Sequence, residues 1–94
     1  MGCIVVISFY LTANKDFSAW TDHPITGNQC MPVPVLGMSS VDSIYLGTCW
    51  TQANSTQFPL VQITNMGNVM IRTMNASYKN GESFRGTFCY ITAE

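Results

Sequence analysis

Between Ile4 and Thr12 the chain reads Ile-Val-Val-Ile-Ser-Phe-Tyr-Leu-Thr, with no charge, proline or glycine. β-branched and aromatic residues at nearly every position favour an extended strand. Alternation puts Val5, Ile7, Phe9 and Leu11 on one face and Ile4, Val6 and Tyr10 on the other. A strand apolar on both sides has to lie centrally in a sheet or be covered by a neighbouring subunit. At 94 residues the chain forms one domain, 1–94, with one small core. A two-sheet sandwich of that size has one interior, so one face of this strand needs cover from outside.

The rest of the chain carries the same period. Ser43 to Trp50 alternates, with Ile44, Leu46 and Thr48 set against Tyr45, Gly47 and Cys49. Pro59–Thr64 and Asn68–Met74 read as a hairpin turning through Asn65-Met66-Gly67-Asn68, and Asn80-Gly81 as a second, two-residue type I′ hairpin turn. Phe84 to Thr92 sets Phe84, Gly86, Phe88 and Tyr90 against Arg85, Thr87, Cys89 and Ile91. Phe17–Thr21 reads as a short strand, and Asp22-His23-Pro24 as a loop. Met31-Pro32-Val33-Pro34-Val35 is extended, and its prolines confine it to an edge or a wall. No run has helical spacing with caps. The fold class expected is all-β, a small antiparallel β-sandwich of short strands, assembled as a trimer.

Charge narrows the function classes. Four Lys and Arg with a net charge of −1 exclude a nucleic-acid binder built on a basic patch. Ser, Thr, Asn and Gln number 29 against nine charged residues, so hydrogen-bonding capacity is mostly neutral. The longest apolar stretch, Cys3 to Leu11, is too short to span a membrane as a helix, and membrane insertion is not expected. Nor does it have the flanks of a secretory signal. Met1-Gly2 reads as a start placed directly before a strand, as in an excised domain.

Cys3, Cys30, Cys49 and Cys89 contain no CxxC, which argues against a structural zinc site. Four reduced and mostly buried thiols are favoured over disulfides. The sequons at Asn54 and Asn75 are what chance gives in an Asn- and Thr-rich chain.

Catalysis has little to work with. His23 is the sole histidine and reads as an exposed loop residue bonded to its neighbour. Asp16, Asp22, Asp42, Glu82 and Glu94 lie on different turns and a terminus. The chain reads as a non-enzyme with no cofactor and no metal site. Binding is better supported: Trp20, Tyr45, Trp50 and Tyr78 lie at strand ends or beside polar loops. An aromatic face next to neutral hydrogen-bonding groups suits a sugar ring or a protein hot spot. Against that, each Trp could equally fill the core, and Tyr45 and Phe88 read better as core. The residues singled out for ligand contact are Trp20, Tyr45, Trp50, Gln52 and Asn54, the last two in the most polar loop.

The order of these features resembles the small β-sandwich head domains that end phage tail fibres and baseplate receptor-binding proteins. The resemblance rests on the opening strand Ile4–Thr12, the Phe17-Ser18-Ala19-Trp20 segment and the proline-bearing Met31–Pro34 piece. It continues through the Ser43–Trp50 strand, the Val61–Ile71 strand, Gly turn and strand, and the closing strand Phe84–Thr92. It covers nearly the whole chain, and each motif is short. It implies a homotrimer on a virion tail fibre, assembled in the host cytoplasm, whose exposed end adheres to a bacterial surface glycan or protein receptor. Two alternatives stand beside it: a structural domain that only trimerises or caps a fibre, and a secreted, disulfide-stapled lectin-like domain.

Overall fold

The computed structural model describes residues 3–26, 30–35, 42–52 and 58–92. Its strands are β1 (Ile4–Thr12), β2 (Asp22–Pro24), β3 (Ser43–Thr48), β4 (Trp50–Thr51), β5 (Leu60–Thr64), β6 (Val69–Arg72) and β7 (Ser83–Ile91). They form two antiparallel sheets, in the order β1-β7-β4 and β2-β6-β5-β3, packed face to face as an all-β sandwich.

The core follows the alternation read from sequence. Val61 and Ile63 on β5 and Val69 and Ile71 on β6 are fully buried and meet Phe84 and Tyr90 from β7. Val5, Ile7, Phe9 and Leu11 pack against them from β1. Burying such side chains stabilises the fold by about 1.5–3 kcal/mol each, which is what holds so small a domain together. Phe17 lies 5.8 Å from Phe84, Tyr78 meets Phe84 edge-on at 5.2 Å, and Phe17 and Tyr78 exchange backbone hydrogen bonds. These contacts tie two irregular segments onto the end of the sandwich.

The β5–β6 hairpin forms where expected. Its turn is closed by hydrogen bonds from Gly67 N to Thr64 O and from Thr64 N to Asn68 O, each 3.0 Å. Gly67 has φ 71°, and a Cβ there would stand 2.0 Å from the carbonyl oxygen of Met31. Only glycine lets the Met31 segment approach so closely. That segment then runs beside the end of β7: Tyr90 donates its hydroxyl to Pro32 O at 2.8 Å, and Pro34 bridges Thr92. It is the proline wall read from sequence.

Several expectations need correction. Of the two placements expected for β1, the central one is not taken: β7 occupies the middle of its sheet, and among the described residues β1 is an edge strand paired with β7. Ser43 to Trp50 is not one strand. The register shifts between Tyr45 and Gly47, β3 ends at Thr48, and the chain crosses at buried Cys49 into β4 of the other sheet. That shift breaks the alternation after Tyr45 and brings Gly47 and Cys49 to the core side, while Tyr45, next to the inward Ile44, faces out and is 61% exposed, where a core position was the better reading.

The Phe17–Thr21 segment is a bridge followed by a turn in which Trp20 has φ 59°, whereas Asp22-His23-Pro24 forms β2 against β6. Asn80-Gly81 does make a turn, with Glu82 N donating to Lys79 O at 3.1 Å. Among the described residues only Gly81 of its two central residues has a positive φ, so the turn is of the type II kind. It leads into β7 without making a hairpin, because β7 pairs with β1. Finally, Cys49 alone of the four thiols is buried, and burial pushes its pKa up to about 12. Cys3, Cys30 and Cys89 are exposed and free.

Candidate functional site

The outer face of the β1-β7-β4 sheet is built from the residues of β1 and β7 that alternate away from the core. Cross-strand register pairs Ile4 with Ile91, Val6 with Cys89, Ser8 with Thr87, and Tyr10 with Arg85, while Trp50 of β4 pairs with Arg85 from the other side. Tyr10, Arg85 and Trp50 therefore form one row across three strands. The guanidinium carbon of Arg85 stands over the Trp50 ring, 4.2 Å from its centroid, a cation–π contact. In the next row Ser8 Oγ and Thr87 Oγ1 are 3.1 Å apart.

Tyr10 is 68% and Trp50 41% exposed, so neither tyrosine nor indole is spent on the core. The two rows line an open hollow of about 540 Å³. At the other end of the face Ile4, Val6 and Ile91 are 72%, 66% and 57% exposed. From there the apolar surface continues round the sheet edge into a groove of about 520 Å³ that includes Ile44, Tyr45 and Leu46 of β3.

The five residues singled out from sequence do not form one site. Trp50 belongs to the aromatic row, and Gln52 is exposed just beyond β4. Tyr45 lies on the other sheet, bordering the apolar groove and a polar hollow of about 350 Å³ that also contains Asp22, Asp42, Gln62 and Arg72. Asp22 is held there by Arg72, whose Nη1 donates to both carboxylate oxygens at 3.1 and 3.2 Å. Trp20 stands alone on its turn, 57% exposed, with its backbone N–H directed at Thr73 O and Met74 O. Asn54 lies outside the described residues. Tyr78, also noted for its aromatic character, is buried.

Tyr10 and Arg85 were missed. Each reads locally as an ordinary strand residue, and only the β1–β7 register brings them together. The signal available was parity: Tyr10 shares its face with Ile4 and Val6, and Arg85 lies opposite the inward Phe84 and Gly86.

His23 corrects another expectation. It is half-buried on β2, stacked on Phe17 with ring centroids 3.7 Å apart, and its Nε2 lies 2.7 Å from Thr21 Oγ1. Burial is the main cause that lowers its pKa; Lys15 adds to this and Asp22 opposes it. The imidazole is a packed ring whose charged form is disfavoured by burial. Among the described residues no group of three or more His, Cys, Asp or Glu side chains is placed to hold a metal ion, and no helix is long and apolar enough to cross a membrane. Compared with known proteins, the chain matches no family model, no curated protein and no solved structure.

Proposed function

We propose that this chain is a binding module, not an enzyme: the head domain of a phage-type tail fibre that recognises a glycan on the host surface. The observation that carries this reading is the exposed Tyr10–Arg85–Trp50 row, with the Ser8 and Thr87 hydroxyls beside it. Ring faces stack on the C–H face of a sugar, and hydroxyls exchange hydrogen bonds with its periphery. In this reading Gln52 flanks the platform, while Trp20 and Tyr45 lie apart from it.

Self-association is the second part of the proposal. The exposed Ile4, Val6 and Ile91 form an apolar patch that a monomer would leave wet, and β1 presents an uncharged edge over nine residues. Closed threefold packing covers such a patch without leaving a surface for further growth. The same patch favours the alternative of a purely structural trimerisation domain, in which the aromatic row is idle.

A glycan array probed with the isolated protein separates the two. Binding that disappears in Trp50→Ala, with the circular dichroism spectrum unchanged, supports recognition. An array with no binding, or binding indifferent to Trp50→Ala, removes it and leaves the structural reading.

A further inference from the structure

The two arginines that β6 and β7 turn outward are in opposite states. Arg72 is neutralised by Asp22. Arg85 has no carboxylate among the residues lining its hollow, and no ion pair joins it among the described residues. Its guanidinium carbon is held over the Trp50 ring at 4.2 Å, and a contact with a ring uses none of its five N–H donors in a conventional hydrogen bond. Donors of that planar fork match a carboxylate. Ser8 and Thr87 stand beside it with hydroxyls 3.1 Å apart, and Tyr10 brings a third hydroxyl from the facing strand.

We infer that the Tyr10–Arg85–Trp50 hollow is a seat for a sugar that bears a carboxylate, a uronic or nonulosonic acid within a glycan. The inference rests on the reading of this row as a glycan platform and narrows it to acidic sugars. Each part of such a ligand has a counterpart: an aromatic ring for the apolar sugar face, hydroxyls for its hydroxyls, and one unneutralised guanidinium for the carboxylate. The hollow, about 540 Å³, falls in the size range of small-ligand sites. An acidic peptide offers the same carboxylate, but among the described residues the polar side chains lining the hollow with Arg85 are the hydroxyls of Ser8, Tyr10 and Thr87, which suit a sugar's periphery better than a peptide's amides.

The test uses the full chain with Trp20→Phe, so that Trp50 is the one indole left to report by fluorescence. Digalacturonate is titrated against galactobiose, and 3′-sialyllactose against lactose, with an acetylated Gly-Glu-Gly peptide as the third arm. The expected result is that at least one acidic sugar binds roughly tenfold or more tighter than its neutral counterpart. That preference should shrink with added salt, fall to near parity in Arg85→Gln, and survive in part in Arg85→Lys, which keeps the charge without the fork.

Equal binding of acidic and neutral sugars, with Arg85→Gln unchanged, overturns the carboxylate seat and leaves the platform standing. The peptide binding as tightly as the acidic sugars overturns the glycan assignment. No fluorescence change with any ligand overturns both the seat and the platform. Circular dichroism of each variant confirms that the comparison is made on folded protein.

Discussion

One sheet face carries two surfaces of opposite character. Toward the Tyr10 end of β1 the outward residues are Tyr10, Arg85 and Trp50, rigid rings around a single charge. Toward its start they are Ile4, Val6, Cys89 and Ile91, with no hydrogen-bonding side chain stronger than a thiol. The Ser8–Thr87 hydroxyl pair divides them. Both halves are exposed in the single chain, yet water treats them differently. Tyr10 and Trp50 pair an apolar ring with a polar handle and tolerate solvent, and Arg85 requires it unless an anion is supplied. The aliphatic half gains nothing from solvent and about 1.5–3 kcal/mol per side chain from cover. On the proposed reading, that difference gives the first half to a polar ligand and the second to another protein surface.

The largest expected effect separates neighbours on β1. Ile7→Asp places a charge in the half-buried core face and should abolish the folded signal in circular dichroism. Val6→Asp, on the apolar half, should leave the fold intact and dissociate the assembly, read as a fall in mass by light scattering. A parent that already runs as a monomer, or a Val6→Asp variant at the parent mass, would break the assignment of that half.

These two substitutions are separable because the parity of Ile4–Thr12 was legible in sequence. Two-residue alternation survives wherever a strand runs without a bulge, and β1 and β7 do so for nine residues each. The β5–β6 hairpin was legible for a different reason, since Gly67 fixes its turn locally. What could not be read was the lateral order of strands. Nothing between Thr12 and Ser83 announces that β1 pairs with β7 and is left at an edge, so the meeting of Tyr10 with Arg85 was invisible. The crossing at Cys49 was hidden too, because one bulge at Tyr45 resets the alternation. Of the candidate residues, Trp50 lies in the aromatic row, whereas Tyr45 and Trp20 lie elsewhere on the molecule, because residue type alone carries no information on which side chains meet.

A smaller effect is expected from Gly67→Ala, which tests whether the two halves are supported independently. The new Cβ collides with the Met31 carbonyl, so the Met31–Val35 wall beside Tyr90 and Ile91 must shift. Urea unfolding should show a loss of about 2–3 kcal/mol. The shift should raise the exposure of the apolar half while ligand affinity at Trp50 holds. An equal loss of affinity would mean that the halves move together.

His23 backs the aromatic half, through Phe17 and Phe84, which is the cross-strand partner of Thr51 next to Trp50. Its pKa is lowered in the fold from the usual 6.5, so the unfolded chain binds the proton more readily. Its contribution is complete above 6.5 and is lost as the pH falls through that value toward the lower folded one. Urea midpoints measured from pH 7.5 down to 5 should decline below 6.5, and His23→Gln should flatten the decline. A midpoint that rises on acidification would contradict a burial penalty on the charged ring.

Trp20→Gly should have the smallest effect, and in the opposite direction. The left-handed backbone at Trp20 is costly for a bulky residue, and glycine should raise stability by about 1 kcal/mol. Thermal melting reads that gain. Ligand affinity unchanged in the same variant confines recognition to the Trp50 half, and a lost affinity would extend the site to Trp20.

The thiols offer the most direct view of the divided face. Cys89 lies in the apolar half opposite Val6, and Cys30 is exposed outside that face. Alkylation of the native protein, followed residue by residue with mass spectrometry, compares the two in one sample. Cover by a neighbouring subunit predicts that Cys30 reacts rapidly while Cys89 is protected, and that Val6→Asp brings Cys89 to the rate of Cys30. Equal, rapid labelling of Cys30 and Cys89 in the parent would show the apolar half open to solvent and contradict the account.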